Sequence, residues 1–234
     1  MDNNKIKFLN GSVPALLCFK ESPEIAARRG TILFYHGLTV CKETNLKELE
    51  SLAASGFLAI GIDNAGHGER SVDYSNIADD VKNEVFLEAV SETVNEIPEL
   101  ISELIDARLA YPGKIGICGI SMGGFITYGA VALDKRIAAA APILGSPVWD
   151  GPGSPHLTPE KFFPTAVLSQ NAGSDECVAP ENARNFHKTL EKYYSGKKEN
   201  IRYIEYPGER HMVSEKSWNA LWNEVLSWLD ENIK

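Results

Sequence analysis

Six strand-length segments, separated by patterns typical of helices, constrain the fold of this chain more than any other feature. The first of them, TILFY at residues 31–35, is apolar at consecutive rather than alternate positions. Such runs are typical of parallel strands that are buried on both faces. Their regular alternation with amphipathic segments predicts an α/β fold with a mostly parallel sheet. The expected strands are residues 31–35, 57–62, 114–118, 137–143, 165–170 and 201–206.

The segments between these strands predict the helices. Residues 46–55 place leucines on one face at helical spacing, and Gly56 follows as a stop signal. Ser22 and Pro23 form a helix-start pair, with the serine as cap and the proline at the first helical position. A long acidic stretch is expected to be helical with a break at Pro98. The other expected elements are an opening hairpin within residues 5–21 and helices at residues 78–111, 122–133, 180–194 and from 214 onward.

The composition excludes several classes of partner. With 23 Lys and Arg against 32 Asp and Glu, the 234-residue chain carries a formal charge of -9. This charge argues against binding to nucleic acid or to an anionic membrane surface. The sequence also lacks an apolar run of the roughly 18 residues that a membrane-spanning helix needs. Without repeats or linkers, the sequence predicts one domain over residues 1–234 and leaves homo-oligomer formation open.

The N-terminus and the cysteines bear on the compartment and on cofactors. The opening MDNNKIKF is polar and lacks the apolar core of a signal peptide, so a cytoplasmic location is expected. Cys18, Cys41, Cys118 and Cys177 form no CxxC pair and have no metal-like spacing. We therefore expect reduced thiols, no metal and no organic cofactor. Cys41 and Cys177 are expected near the rim of the functional site as packing thiols.

The motif GISMGG places Ser121 between the expected strand at residues 114–118 and the expected helix at residues 122–133. Its pattern, Gly119-x-Ser121-x-Gly123, is that of a nucleophile elbow, a strained strand-to-helix turn that exposes the serine hydroxyl. Small neighbours let such a turn pack closely against adjacent strands. The amino end of the new helix also favours a developing negative charge. Ser121 is therefore the expected nucleophile.

A serine nucleophile needs a base, and the chain has five histidines. In sites built on this elbow, the chain order is serine, acid and then histidine, which leaves His187 and His211. His187 lies within an amphipathic helical pattern and is expected to face solvent. His211 lies in a loop beyond the strand at residues 201–206, from which its imidazole can reach the elbow. His211 is therefore the expected base.

The acid that orients this histidine is expected just past another strand end. Asp175 follows the strand at residues 165–170, within the segment GSDECVAPENA. We assign Asp175 this role on its position. Asp150, which follows the preceding strand, and Glu176, the direct neighbour of Asp175, stay open as alternatives, with Asp150 ahead of Glu176.

Acyl transfer also needs backbone N–H groups that receive the oxyanion. One is expected from Met122, directly after the nucleophile, and the other from Leu38 in the HGLT loop at residues 36–39. Gly37 allows this loop to turn toward the site. His36 is expected to brace the loop by hydrogen bonding rather than to take part in catalysis.

The chain resembles the α/β-hydrolase superfamily, and within it the dienelactone-hydrolase-like and prolyl-oligopeptidase-like esterases. Five segments carry the resemblance in order from about residue 30 onward: FYHGL, GIDNAGHGER, GISMGG, GSDECVAPENA and GERHMV. The resemblance implies an α/β-hydrolase fold with an eight-stranded, mostly parallel sheet, helices on both faces and a triad of Ser121, Asp175 and His211. Dienelactone hydrolases proper use a cysteine nucleophile, so the serine here favours ordinary ester chemistry over dienelactone.

Two segments are expected to cover the substrate site. A cap at about residues 146–164 is too short for a helical domain, which favours modest acyl groups over long lipids. The acidic stretch at residues 79–103 is the second cover, and its charges are more typical of a solvated face than of a cation site.

The GHGER turn has two readings. His67, Glu69 and Arg70 either reach the substrate, as similar turns do in these enzymes, or belong to a turn held by Asp63 and its glycines. The residues expected to contact substrate are Gly37, Thr39, His67, Trp149, His156 and Val178.

These expectations describe a serine carboxylesterase that cleaves small to medium acyl esters through an acyl-enzyme. A peptidase acting on short peptides and a thioesterase use the same triad chemistry and stay open as alternatives. A non-catalytic protein that keeps the fold for ligand capture is the alternative from another class, although pure binding does not require all three triad members.

Overall fold

The structure is built around one mixed sheet. A computed structural model describes residues 2–72, 81–151 and 153–234. The eight strands found within them are β1 (Asp2–Phe8), β2 (Val13–Phe19), β3 (Thr31–Tyr35), β4 (Leu58–Ile62), β5 (Ile115–Ile120), β6 (Ile137–Ile143), β7 (Ala166–Ala172) and β8 (Ile201–Tyr206). Their order in the sheet is β1-β2-β4-β3-β5-β6-β7-β8. The hairpin β1–β2 and the pair β2–β4 are antiparallel, and the remaining neighbours are parallel.

Helices cover both faces of this sheet. Those in the described residues are α1 (Pro23–Arg29), α2 (Leu46–Ala54), α3 (Lys82–Asp106), α4 (Met122–Leu133), α5 (Pro180–Leu190) and α6 (Glu215–Asn232). Buried side chains of α2 and α6 pack on one face, and those of α1, α3, α4 and α5 pack on the other. Within the described part of the chain, no helix combines the length and apolarity that a membrane span requires.

The consecutive apolar residues of β3 explain why this strand lies in the middle of the sheet. Ile32 and Phe34 belong to the core on the α2–α6 side, whereas Leu33 and Tyr35 belong to the core on the opposite side. Alternate side chains of a strand point to opposite faces, so a strand covered on both faces must be apolar throughout. The α/β prediction from these runs is confirmed, and β3, α4, β6 and β8 have the predicted bounds.

The predicted break at Pro98 is wrong, because α3 continues through this residue. Pro98 has no N–H to donate to the preceding turn. Its neighbours Ile97 and Ile101 are fully buried, however, and its carbonyl accepts hydrogen bonds from Arg136 Nη2 at 2.6 Å and Ser102 Oγ at 2.8 Å. Packing along the helix therefore outweighs the lost bond. The predicted start of this helix at residues 78–80 lies outside the described residues.

The parallel strands place several loops at one edge of the sheet. The loops after β3, β4, β5, β7 and β8 all leave from the carboxyl ends of these strands. In open α/β sheets this edge is where ligands bind. The candidate residues of the HGLT loop, the elbow, the acid loop and the histidine loop therefore meet there.

Candidate active site

Ser121 occupies a strained turn between β5 and α4. Its backbone has φ 54° and ψ -112°, and it caps the amino end of α4. Its N–H donates to the Ile143 carbonyl at 2.8 Å, which ties the turn to β6. A positive φ is unfavourable for a serine and is characteristic of a nucleophile elbow.

The glycines around Ser121 are required by close contacts. A Cβ atom at Gly119 would lie 2.4 Å from the carbonyl oxygen of Gly123. One at Gly123 would lie 2.0 Å from the carbonyl oxygen of Tyr35 in β3. Neither position can accept a side chain without moving backbone. The prediction that small residues let the turn pack against adjacent strands is confirmed.

Ser121, His211 and Asp175 form a continuous hydrogen-bonded chain. His211 Nε2 lies 2.9 Å from Ser121 Oγ, and His211 Nδ1 lies 2.7 Å from Asp175 Oδ2. The other carboxylate oxygen, Asp175 Oδ1, accepts the N–H groups of Cys177 at 2.8 Å and Val178 at 2.9 Å. Because a carboxylate accepts at Nδ1, the neutral imidazole carries its proton there and presents Nε2 as an acceptor to the serine hydroxyl.

The loop that carries His211 is anchored at Glu209. The Glu209 carboxylate accepts from Ser214 N at 2.8 Å, Ser214 Oγ at 2.6 Å and Ser217 Oγ at 2.6 Å. These bonds to the start of α6 lower the pKa of Glu209 below its usual value. The Glu209 carbonyl also accepts the N–H of Ser174, the residue before the candidate acid, at 2.8 Å. The histidine and acid loops therefore hold each other in place.

The two alternative acids lie elsewhere. Glu176 Oε1 forms an ion pair with Arg210 at 2.7 Å, and its other oxygen accepts the backbone N–H of His211 at 3.4 Å. Asp150 lines the wall of a cavity beside Ser121. Among the three acidic candidates, the imidazole hydrogen bond goes to Asp175.

The HGLT loop lies against the elbow. A Cβ atom at Gly37 would be 3.9 Å from Ser121 Cβ, which shows how closely the two backbones approach. His36 is fully buried, with Nδ1 donating to the Gly37 carbonyl at 2.7 Å and Nε2 accepting the Asn64 N–H at 3.1 Å. Burial lowers the pKa of His36 to about 4. The prediction that His36 braces this loop is confirmed.

A buried ion pair beneath this loop was not found from the sequence. The Asp63 carboxylate accepts Lys42 N at 2.9 Å, Lys42 Nζ at 2.6 Å and Glu69 N at 2.9 Å. Burial alone would lower the pKa of the Lys42 ammonium, but hydrogen bonds to Asp63 and Glu69 outweigh this and raise it. No local pattern marks Lys42, because its partners lie 21 and 27 residues further along the chain.

The GHGER turn is held by its own side chains. Arg70 forms a bidentate pair with Glu96 of α3, with Nη1 at 2.8 Å and Nη2 at 2.6 Å from its two oxygens. The Lys42 ammonium donates to Glu69 at 2.9 Å. A Cβ atom at Gly68, where φ is 57°, would lie 2.1 Å from Asp63. These contacts favour a structural role for Glu69 and Arg70, in a turn that Asp63 holds, over contact with the substrate.

Two cavities flank Ser121. One, of about 510 Å³, is walled mainly by Phe86, Leu87, Phe125, Trp149, Val178 and Asn182. The other, of about 580 Å³, is walled mainly by Gly37, Thr39, Ile120, His211, Met212 and Trp218. Leu38, Ser121 and Cys177 line both. The Cys177 side chain is exposed, so the expectation of a packing thiol is wrong for this residue, which lies on the loop between β7 and α5.

The residues expected to contact substrate fall into three groups. Trp149 and Val178 line the first cavity, and Gly37 and Thr39 line the second. His67 is 3% exposed and lines a third cavity of about 270 Å³, together with Leu38 and Thr39. His156 Nδ1 lies 2.7 Å from Ser154 Oγ within the cap, and His156 does not belong to the described lining of either cavity beside Ser121.

The prediction that His187 faces solvent is wrong. His187 is 6% exposed, and its Nε2 lies 2.6 Å from Ser169 Oγ on β7. Tyr128 OH donates to the same Ser169 oxygen at 2.6 Å, which leaves the serine hydroxyl to donate to the imidazole. Burial lowers the pKa of His187 to about 3. His187 shares the buried face of α5 with Ala183, Phe186 and Leu190, and this helical spacing was a usable signal in the sequence.

Several wall residues were not identified from the sequence. Phe125 lies one helical turn after Ser121, and Met212 directly follows His211, so their sequence positions were usable signals. Trp218 and Asn182 reach the cavities from α6 and α5, and only the tertiary fold places them there.

Sequence comparisons link the chain to known hydrolases. A sequence model of the dienelactone hydrolase family matches residues 21–231. The chain is also 27% identical over 213 residues to the "Putative esterase YitV" of Bacillus subtilis (strain 168), with 78% of this chain and 82% of that protein covered.

Solved structures share the fold. TT1662 from Thermus thermophilus has a TM-score of 0.82 at 20% identity, with 100% of this chain and 99% of that chain covered. A cold-adapted esterase from an Arctic intertidal metagenomic library, solved in a PEG-bound complex, has a TM-score of 0.73 at 20% identity. It matches over 99% of this chain and 93% of its own. These similarities and the observed sheet confirm the expected α/β-hydrolase fold.

Proposed function

Because the chain belongs to the dienelactone hydrolase family, we propose that it is a serine hydrolase that cleaves carboxylic esters through an acyl-enzyme on Ser121. One observation carries the proposal: the serine hydroxyl, the imidazole and the carboxylate form one chain, with links of 2.9 Å and 2.7 Å. Both lengths suit proton transfer from a nucleophile to an oriented base.

In the first half of the reaction, His211 Nε2 takes the proton of Ser121 Oγ as that oxygen attacks the ester carbonyl. Asp175 accepts from Nδ1 and stabilises the imidazolium that forms. The oxyanion accepts hydrogen bonds from the N–H groups of Leu38 and Met122. This assignment is supported by Leu38, which lines both cavities together with Ser121, and by Met122, which begins α4.

Collapse of the tetrahedral intermediate breaks the ester bond and leaves the acyl group on Ser121. The leaving alcohol takes its proton from His211 Nε2, so it must lie on the side of the imidazole, where the cavity of about 580 Å³ is. The acyl group then occupies the cavity of about 510 Å³ beside Phe125 and Trp149. Water, activated by the same nitrogen, attacks the acyl-enzyme and releases the acid.

The dimensions of these cavities support small to medium acyl groups. The wall of the acyl cavity combines aromatic side chains with Asp150 and Asn182. Such a wall suits a short acyl group better than a long lipid chain, for which a continuous apolar tunnel is needed. The esterase names of the relatives favour esters as the substrate class.

Hydrolysis of p-nitrophenyl acetate by the parent protein and by Ser121→Ala tests the proposal. We expect kcat/KM to fall by at least about 10⁴-fold in the variant, because it lacks the hydroxyl that is hydrogen-bonded to His211 Nε2. The control is Ser174→Ala, which removes an exposed hydroxyl one residue from Asp175 and is expected to keep activity within about twofold. Equal rates for the parent and Ser121→Ala would rule out the mechanism. A panel of acyl esters, thioesters and aminoacyl amides then identifies the substrate class.

A further inference from the structure

A side-chain cluster beside Ser121 brings three kinds of metal ligand together. The ligand atoms are an oxygen of Asp175, the sulfur of Cys177 and a nitrogen of His211, and they lie within 4.8 Å of one another. Zn²⁺ binds these three atom types at about 2.0–2.3 Å, which places ligand atoms of a tetrahedral site roughly 3.5 Å apart. We propose that Zn²⁺ binds across Asp175, Cys177 and His211 and reversibly blocks the site.

Cys177 is the residue that turns a hydrogen-bonded pair into a metal site. Its backbone N–H donates to Asp175 Oδ1 at 2.8 Å, which keeps the thiol close to the carboxylate. Its side chain is exposed and lines both cavities beside Ser121, so an ion can enter from solvent. Rotation of this exposed side chain and lengthening of the 2.7 Å contact between His211 and Asp175 bring the ligand atoms to the spacing of a tetrahedral site. When the ion binds, the thiol releases its proton to solvent and a Zn–S bond forms, without any change of oxidation state.

The consequence for activity follows from how His211 is used. Its Nδ1 donates to Asp175 and its Nε2 accepts from Ser121. A metal on either ring nitrogen therefore removes one of the two hydrogen bonds on which proton transfer depends. The ion site rests on the geometry of the cluster, whereas the inhibition that it predicts rests also on the proposed function.

Cobalt binding tests the site independently of turnover. Co²⁺ replaces Zn²⁺ at thiolate sites and absorbs through cobalt–thiolate charge transfer. We expect this absorption in the parent protein and in Ser121→Ala, its displacement by Zn²⁺, and its loss in Cys177→Ser. Cys41→Ser is the matched control, because Cys41 is the other cysteine that is not buried. Retention of the band in Cys177→Ser would overturn the proposal.

Inhibition of ester hydrolysis provides the second measurement. Each protein is compared with its own metal-free rate, and a chelator is added at the end. We expect the half-inhibitory Zn²⁺ concentration to rise by roughly 100-fold or more in Cys177→Ser, since even the loss of an outer partner of a metal ligand costs up to that much. It should stay unchanged in Cys41→Ser, and the chelator should restore the parent rate. Equal zinc sensitivity of the parent and Cys177→Ser would contradict the site.

The two measurements separate this proposal from the proposed function. A cobalt–thiolate band that depends on Cys177, in a protein without ester hydrolysis, would support the ion site and contradict the esterase. Ester hydrolysis that depends on Ser121, in a protein without the band, would support the esterase and overturn the ion site.

Discussion

Two aspartates at the carboxyl ends of β4 and β7, Asp63 and Asp175, are alike in burial and differ in what they hold. Both carboxylates are fully enclosed, and each accepts two backbone N–H groups. Those on Asp63 come from Lys42 and Glu69, and those on Asp175 come from Cys177 and Val178. Asp63 pairs with the buried Lys42 ammonium. Asp175 pairs with His211, whose other nitrogen reaches Ser121 between two cavities. Burial of the carboxylate does not distinguish a candidate catalytic acid from a structural one. The distinction is that the partner of Asp175 contacts a serine hydroxyl, whereas the partner of Asp63 is a buried ammonium.

The largest expected difference comes from Asp175→Asn. The amide oxygen can still accept from Cys177 and Val178, but the amide group no longer favours a proton on His211 Nδ1. We expect kcat for p-nitrophenyl acetate to fall by about 10⁴-fold and the free energy of unfolding to change by no more than about 2 kcal/mol. Steady-state kinetics and urea unfolding measure the two quantities. A loss of activity below tenfold would remove Asp175 from the mechanism.

The same substitution at Asp63 should act on stability. Asp63→Asn faces amide hydrogens toward the Lys42 ammonium and the Glu69 N–H. The buried ammonium is then left with two partly exposed carboxylates, Glu69 at 2.9 Å and Glu43 at 3.5 Å. We expect the free energy of unfolding to fall by roughly 3 kcal/mol. Activity per folded molecule should fall far less than in Asp175→Asn. An unchanged urea midpoint would contradict the structural role of Asp63. A kinetic defect as large as that of Asp175→Asn would contradict the difference in role between the two aspartates.

The smallest expected effects are those that each buried histidine alone has on the pH dependence of stability. Burial lowers the pKa of His36 to about 4 and of His187 to about 3, whereas an unfolded histidine has a pKa of about 6.5. The unfolded chain therefore binds more protons than the folded chain below about pH 6.5, so stability falls as the pH is lowered toward 4. Between pH 7 and pH 5 each histidine should contribute a loss of about 2 kcal/mol.

His187→Gln isolates one of these contributions. The glutamine does not titrate, so the loss of unfolding free energy between pH 7 and pH 5 should shrink by about 2 kcal/mol relative to the parent. Urea unfolding of both proteins at the two pH values measures this. Parallel stability curves for the two proteins would show that His187 does not carry the effect.

Local patterns could predict the parts of this molecule that depend on sequence neighbours. The apolar run of β3 depends on consecutive residues. The cap at Ser22 also depends on near neighbours, because its Oγ accepts from Ile25 N at 3.3 Å. The elbow around Ser121 is likewise local, because its glycines are required within one turn.

Features that depend on distant parts of the chain could not be predicted in this way. His187 meets Ser169 across 18 residues, and Lys42 meets Asp63 across 21. The helix through Pro98 is held by Arg136, 38 residues further on. In each case tertiary packing supplies the partner, and at Pro98 it overrides the local preference for a break.

Labelling with a fluorophosphonate probe tests the central claim most directly, because the probe reacts with a serine only where a base activates it. Mass spectrometry of the folded protein should find one adduct per chain, on Ser121. The adduct should be absent in Ser121→Ala, form much more slowly in Asp175→Asn and form at close to the parent rate in folded Asp63→Asn. A folded parent protein that acquires no adduct on Ser121 would contradict the account.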